Sequence, residues 1–126
     1  MKQITEAFGG RLENSGITRV QWIALYYVKT KNKISQRELS NLMNIMDSSA
    51  GRLIDRLERD GLIERHRDNT DRRVVFITLT DKGDKLISDL LPIGSQFNDD
   101  LLAGIDEKEL MIYEKVLNKM ISNIKK

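Results

Sequence analysis

A chain of 126 residues with 40% hydrophobic and 32% charged residues is the size of one soluble globular domain, with enough apolar material for a modest core. The net charge of +2 permits a nucleic-acid partner without requiring one, and the absence of cysteine excludes disulfides, thiolate metal sites and thiol redox switches. No apolar run reaches the ~18 residues of a membrane span and no signal-peptide h-region stands at the N-terminus, so the chain reads as cytoplasmic, with no membrane partner.

In chain order, the first helix is expected from Met1 to about Glu13, with Ile4, Phe8 and Leu12 four residues apart. Gly9 and Gly10 should fray or bend it, since each costs roughly 1 kcal/mol relative to Ala in a helix. Three later starts carry capping chemistry: Thr18 with Gln21, Ser35 with Glu38, and Asp106 with Glu109 as a looser variant. The helix from Thr18 to about Lys31 is almost wholly apolar through Trp22–Val28, the pattern of a central helix touched on several sides. A short helix from Ser35 to Met43 should bury Leu39, Leu42 and Met43. Residues 44–46 then form a turn, and a fourth helix runs from Asp47 or Ser48 to Asp60, stopped by Gly61.

Beyond Gly61 the period becomes two. Residues 62–67 and 73–79 read as strands joined by the polar turn 68–72, with Val75, Ile77 and Leu79 on one face. Thr80 should cap a long fifth helix that Pro92 kinks or divides, and the last helix runs from Asp106 to about Ile124. The fold class is therefore mainly α with a small β-hairpin wing: a winged helix-turn-helix over about 17–80, with terminal dimerisation helices over about 1–14 and 81–126, all in one domain.

On the fourth helix, Ala50, Leu53, Ile54 and Leu57 gather on one face. Ser48, Ser49, Arg52, Asp55, Arg56 and Arg59 lie opposite. Hydroxyls near the start of such a helix can bond bases or phosphates, and Arg can fork onto guanine. Every amphipathic surface helix shows this split, and arginines and acids are equally numerous between Ser35 and Arg73, so placement has to carry the inference. At the wing, Arg67, Arg72 and Arg73 flank a turn holding Asp68 and Asp71, which sets cationic groups beside a tip able to enter a minor groove. The plainer alternative is a surface ion pair between Asp71 and Arg73, worth about 0–1 kcal/mol.

These residues resemble the MarR family of winged-helix regulators. Asp71, Arg73, Leu79 and Thr80 fit its D-x-R-x5-L-T wing signature. Ile17-Thr18 with Gln21-Trp22, Ser35–Leu39, and Arg52–Glu58 with Gly61–Arg65 are similar to its second, third and recognition helices. The resemblance implies a homodimer on a pseudo-palindromic operator, with repression often released by a small anionic or phenolic ligand. It implies that Arg73, oriented by Asp71 beside Arg72, enters the minor groove, that Ser48, Ser49 and Arg52 face bases, and that Ser35 and Gln36 touch the backbone. Arg56 joins this set from the polar face of the helix. The segment before Ile17 is short for the family and carries Gly9-Gly10, which bears on the dimer and the ligand pocket.

In the last helix Leu110, Tyr113, Leu117, Met120 and Ile124 alternate spacings of three and four, the seam of a helix pair. A dimer would cover it, and an intramolecular hairpin with the fifth helix is the alternative. Phe8, Trp22 and Tyr26 could line an effector pocket or simply be core. His66 reads as a surface residue. With no nucleophile beside a base, no metal-ligand spacing and no phosphate loop, neither an enzyme nor a cofactor is expected. A winged helix used only for protein–protein contact is the alternative to a DNA-binding regulator.

Overall fold

The computed structural model describes residues 2–125, so the expected start at Met1 lies outside the described residues. Six helices and one small sheet are found there: α1 (Lys2–Arg11), α2 (Arg19–Lys31), β1 (Ile34–Ser35), α3 (Gln36–Met43), α4 (Asp47–Arg59), β2 (Ile63–Arg67), β3 (Val75–Leu79), α5 (Asp81–Leu102) and α6 (Glu107–Ile124). Two compact units divide between Ser95 and Gln96, inside α5.

Local chemistry sets most helix ends. Thr18, Ser35 and Asp106 each accept the N–H three residues on, and Gln21, Glu38 and Glu109 each reach back to the cap backbone, so all three reciprocal boxes form, the third in full. Asn44 closes α3 in the left-handed conformation at φ 54°, and Gly61 follows α4 at φ 77°. The start of α4 is the exception. Its cap is Met46, which makes no side-chain bond, where a Ser, Asp or Asn would typically contribute about 1 kcal/mol.

The first unit has one core. Leu12 and Phe8 of the N-terminal segment, Ala24, Leu25 and Val28 of α2, Leu39 of α3, Ala50, Ile54 and Leu57 of α4, Ile63 and Ile77 of the sheet and Ile87 of α5 are all buried. Burial of a Leu or Ile contributes roughly 1.5–3 kcal/mol, so this set dominates the unit's stability. The antiparallel sheet runs β1-β3-β2, with Ile34 opposite Ile77 and Arg65 opposite Ile77 from the other side. The wing is thus anchored on three strands, not the two of the expected hairpin. β1 is only two residues long, too short for a period-two signal. Leu42, expected in the core, is exposed, and the buried residue of that turn is Ser40, whose hydroxyl lies 2.8 Å from both the Arg37 carbonyl and an Asp47 carboxylate oxygen.

Gly9 and Gly10 do not interrupt α1, which ends just after them at Arg11. Pro92 does not divide α5, which is continuous over 22 residues. Thr80 caps its start: the hydroxyl accepts the Gly83 N–H at 3.0 Å and donates to the Gly61 carbonyl at 2.6 Å, tying α5 to the exit of α4.

The second unit comprises the end of α5 and α6. Tyr113, Leu117, Met120 and Ile124 of α6 are exposed, and so are Met111, Ile112, Val116 and Ile121. Leu110 is half-buried. An apolar helix face of this extent lies uncovered in a single chain.

Candidate nucleic-acid interface

Helices α3 and α4 meet across the turn at Asn44, close enough that Gln36 Nε2 lies 3.8 Å from where a Cβ on Gly51 would stand. This leaves Ser48, Arg52 and Arg56 exposed and Ser49 half-buried on the side of α4 away from Ala50, Ile54 and Leu57. Two acids of the same helix, Asp55 and Glu58, are drawn elsewhere. Asp55 is in contact with the Arg65 guanidinium on β2, and Glu58 lies 3.7 Å from Arg65 Nε. Arg65 Nε is buried and has no hydrogen-bond partner, so the Glu58 carboxylate at 3.7 Å is the charge it faces. Among the described residues no ion pair engages Arg52, Arg56 or Arg59. Beyond Asp47, which accepts from the Ser40 hydroxyl at the start of the helix, α4 separates its charges, with Asp55 and Glu58 drawn to β2 and the arginines open to solvent.

The wing turn is built by its own side chains. Asp68 donates its N–H to the Val74 carbonyl at 3.0 Å, and its carboxylate accepts from the Thr70 hydroxyl at 2.6 Å and the Asp71 N–H at 3.0 Å. Those bonds, the hydroxyl foremost, hold the Asp68 carboxyl below the usual carboxylate range. The Arg72 carbonyl accepts from Arg67 Nη1 at 2.7 Å.

Asp71 accepts from the Arg73 Nε at 3.1 Å, from its Nη2 at 3.3 Å and from its N–H at 3.0 Å, a forked grip that lowers the Asp71 pKa, the guanidinium contributing most. The Arg73 side chain is nonetheless 91% exposed, so the carboxylate aims the guanidinium without covering it.

Ser35, Gln36 and Arg37 at the start of α3, Asp47 at the start of α4, and Asp71, Arg73, Val74 and Val75 of the wing line one open cleft of about 530 Å³. The structure thus gathers Ser35, Gln36, Asp71 and Arg73, and sets Ser48, Ser49 and Arg52 on the adjoining helix. Sequence reading missed Arg37, and it gave Arg65 only as one of three arginines, with Arg56 and Arg59, able to pair with Asp55, Glu58, Asp60 or Glu64. The Asp55–Arg65 pair joins a helix to a strand ten residues on, outside any helical spacing rule. His66 lies on the wing, 3.0 Å from the Thr78 hydroxyl and 3.7 Å from Glu64.

The aromatic trio sits apart from this cleft. Phe8 meets Trp22 edge-on with centroids 5.1 Å apart, and Tyr26 stacks on Trp22 at 5.5 Å. Trp22 is buried and donates its indole N–H to the Leu90 carbonyl at 3.0 Å, while Tyr26 is exposed. The rings pack on one another. No His, Cys, Asp and Glu group among the described residues could hold a metal ion, and no helix there is long and apolar enough to cross a membrane.

Comparison with known proteins agrees with this geometry. The MarR family model matches residues 15–74. An uncharacterized HTH-type transcriptional regulator of Bacillus subtilis, YsmB, is 30% identical over 115 residues, spanning 91% of this chain and 79% of that protein. The solved complex of Staphylococcus aureus MepR with DNA superposes with a TM-score of 0.87 at 26% identity, covering 97% of this chain and 90% of that one. A mutant Escherichia coli MarR complexed with operator DNA shares the fold, with a TM-score of 0.82 at 22% identity over 94% of this chain and 86% of that one. On the family match, the length of the YsmB alignment and the shared winged helix-turn-helix, this chain belongs to the MarR family of transcriptional regulators, which are DNA-binding proteins and not enzymes.

Proposed function

We propose that this protein represses transcription as a homodimer bound to a pseudo-palindromic operator and leaves it when a small aromatic or anionic ligand binds. The observation that carries the DNA-binding half is the charge separation on α4: Asp55 and Glu58 turn to Arg65, and Ser48, Ser49, Arg52 and Arg56 face outward without acidic partners. That face would enter the major groove, where Arg52 meets guanine or an adjacent phosphate. Arg73, aimed by Asp71 and flanked by Arg72, would read the minor groove beside it, and Ser35 and Gln36 would bond the phosphates between. That MepR, which shares this fold, was solved in complex with DNA supports DNA as the partner.

In this reading the chain acts as one MarR-like domain. Its core, about 17–80, holds the DNA, and the segments of about 1–14 and 81–126 hold the partner. The exposed Tyr113, Leu117, Met120 and Ile124, with Leu110, form the seam. Release would act through Phe8, Trp22 and Tyr26: Tyr26 is the exposed ring, so an aromatic ligand would displace it from the Trp22 face. Trp22 fluorescence reports such a displacement.

The experiment is selection of genomic duplexes by the purified protein, repeated at two salt concentrations. Inverted half-sites about 10 bp apart centre to centre, or a multiple of that, are expected. Affinity should fall with salt at a slope of about −0.9 per phosphate neutralised. A protein that selects no duplex, or binds every duplex alike, is instead a protein–protein module.

A further inference from the structure

Met46 breaks the rule for its position. It occupies the N-cap of α4, where a short oxygen-bearing side chain would accept a helix N–H, and it makes no such bond. Packing does not account for it either, because the residue is 73% exposed. Leu42, four residues earlier at the end of α3, is 42% exposed. The helix-turn-helix therefore buries Leu39, Ala50, Ile54 and Leu57 and leaves two apolar side chains bare at its turn. Asp47, bonded by the Ser40 hydroxyl, follows Met46, and Ser48, Ser49 and Arg52 come next, so this apolar spot interrupts the polar surface of the helix end.

Resting on the DNA-binding reading above, we propose that Met46 reads the C5 methyl group of thymine in the major groove. The chemistry selects that ligand. Along the major-groove edge the four base-pair orientations differ in hydrogen-bond donors and acceptors, and the one apolar group among them is the thymine methyl. A side chain without donor or acceptor strength, at the helix end that enters the groove, can gain from that group and from no other base-edge feature. The unbranched, polarizable thioether can follow the methyl across small changes in helix approach. A serine or aspartate at the same position would close the helix better and would lose this contact.

Deoxyuridine tests the assignment, because it keeps every hydrogen bond of thymine and lacks only the methyl. On the operator selected by the protein, each symmetric thymine pair is replaced by deoxyuridine, and affinity is measured for the wild type, Met46→Ala and Met46→Ser. One pair is expected to cost the wild type about fourfold per methyl, or about fifteenfold for both half-sites, from the burial of one carbon at each. Met46→Ala and Met46→Ser should bind the thymine and deoxyuridine operators equally. Met46→Ser should also raise the thermal midpoint, which separates the capping effect from the reading of the base.

If the operator is bound but no deoxyuridine pair weakens it, or if either variant keeps the discrimination, the role of Met46 is refuted and the regulator reading stands. If the protein selects no duplex, both are refuted.

Discussion

Gly83→Ala tests how the DNA-binding part is set against α5. Gly83 lies in the first turn of α5, and a Cβ there would stand 2.8 Å from the carbonyl carbon of Leu62 and closer still to its oxygen. Ordinary contact begins at 3.4 Å, so backbone must move, and the atoms in the way are not a flexible side chain's. That carbonyl also accepts the Thr80 N–H at 3.1 Å, and Leu62 leads directly into β2. Displacing α5 therefore strains the root of the wing. Overpacking should cost about 1–3 kcal/mol, and the weakened backbone bond about 1 kcal/mol more, against about 1 kcal/mol gained in helix propensity, for a net loss of about 1–3 kcal/mol.

Gly10→Ala supplies the control. Nothing lies within 4 Å of a Cβ at Gly10, so the same substitution there should stabilise α1 by about 0.5–1 kcal/mol. Urea unfolding at fixed protein concentration, followed by circular dichroism, reads both variants, since the midpoint of a dimer depends on concentration. Opposite signs are expected, with weaker operator binding for Gly83→Ala alone. A neutral or stabilised Gly83→Ala would show that the close approach of α5 to Leu62 is not tight in solution.

Arg52→Ala should cost about 1–3 kcal/mol of operator affinity and relax preference at one symmetric pair of positions, whereas Arg73→Ala should cost a similar amount mainly on A·T-rich flanks, with Asp71→Ala a milder copy of it. Affinities on operators changed position by position check this division. If Arg73→Ala leaves flank preference untouched, the wing does not read the minor groove. Leu117→Glu should convert the protein to monomer or aggregate in sedimentation, because a charge would be buried unpaired in the proposed seam; a fully folded dimer would place the interface elsewhere. The Asp71 carboxyl, held by Arg73, has its folded pKa below the ordinary 3.8, so the grip on the guanidinium is complete above 3.8 and is lost only as pH falls through the lowered value. NMR titration of the Asp71 carboxyl carbon should show that depressed midpoint, and Arg73→Ala, which removes the guanidinium but keeps the backbone N–H, should raise it toward the ordinary range.

Features written in short stretches of sequence could be read directly. Thr18 with Gln21, Ser35 with Glu38 and Asp106 with Glu109 act over three residues, and all three boxes form. The alternation of residues 73–79 and the stop at Gly61 are equally local, and both strands of the wing and the end of α4 stand where these signals put them. What escaped depends on partners distant in the chain. β1 is a strand only because Ile34 meets Ile77, 43 positions later, and its two residues carry no pattern of their own. Leu42 belongs to an apolar helix period, yet the turn at Asn44 directs it outward and Ser40 inward. Aromatic character and the family resemblance suggest Phe8, Trp22 and Tyr26 as a grouping, pocket or core, and the structure shows the rings packed on one another.

The candidate interface illustrates the same limit in electrostatic terms. A count of charges over Ser35–Arg73 finds arginines and acids in equal number, which by itself argues against a nucleic-acid face. What a duplex would meet is set by pairing and not by that sum. The β2–β3 register brings Arg65 opposite Ile77, at the strand position that also reaches Asp55 and Glu58. Both acids of mid-α4 are therefore drawn to one arginine on the flank of the helix, which offsets one of their two charges. At the wing, Asp71 engages Arg73 while leaving 91% of that side chain exposed, so the pair keeps a cation aimed outward instead of cancelling it. Charge composition alone could not have distinguished these outcomes from an evenly mixed surface. Asp55→Asn offers a direct measure of the difference: it removes an acid near the proposed DNA face, which on net charge alone should tighten binding. If the pairing governs, the gain should be small, because the carboxylate was already matched by Arg65 and the freed Arg65 would be left partly buried without it. A large gain in operator affinity for Asp55→Asn would show that net charge, and not the partition made by the fold, controls binding.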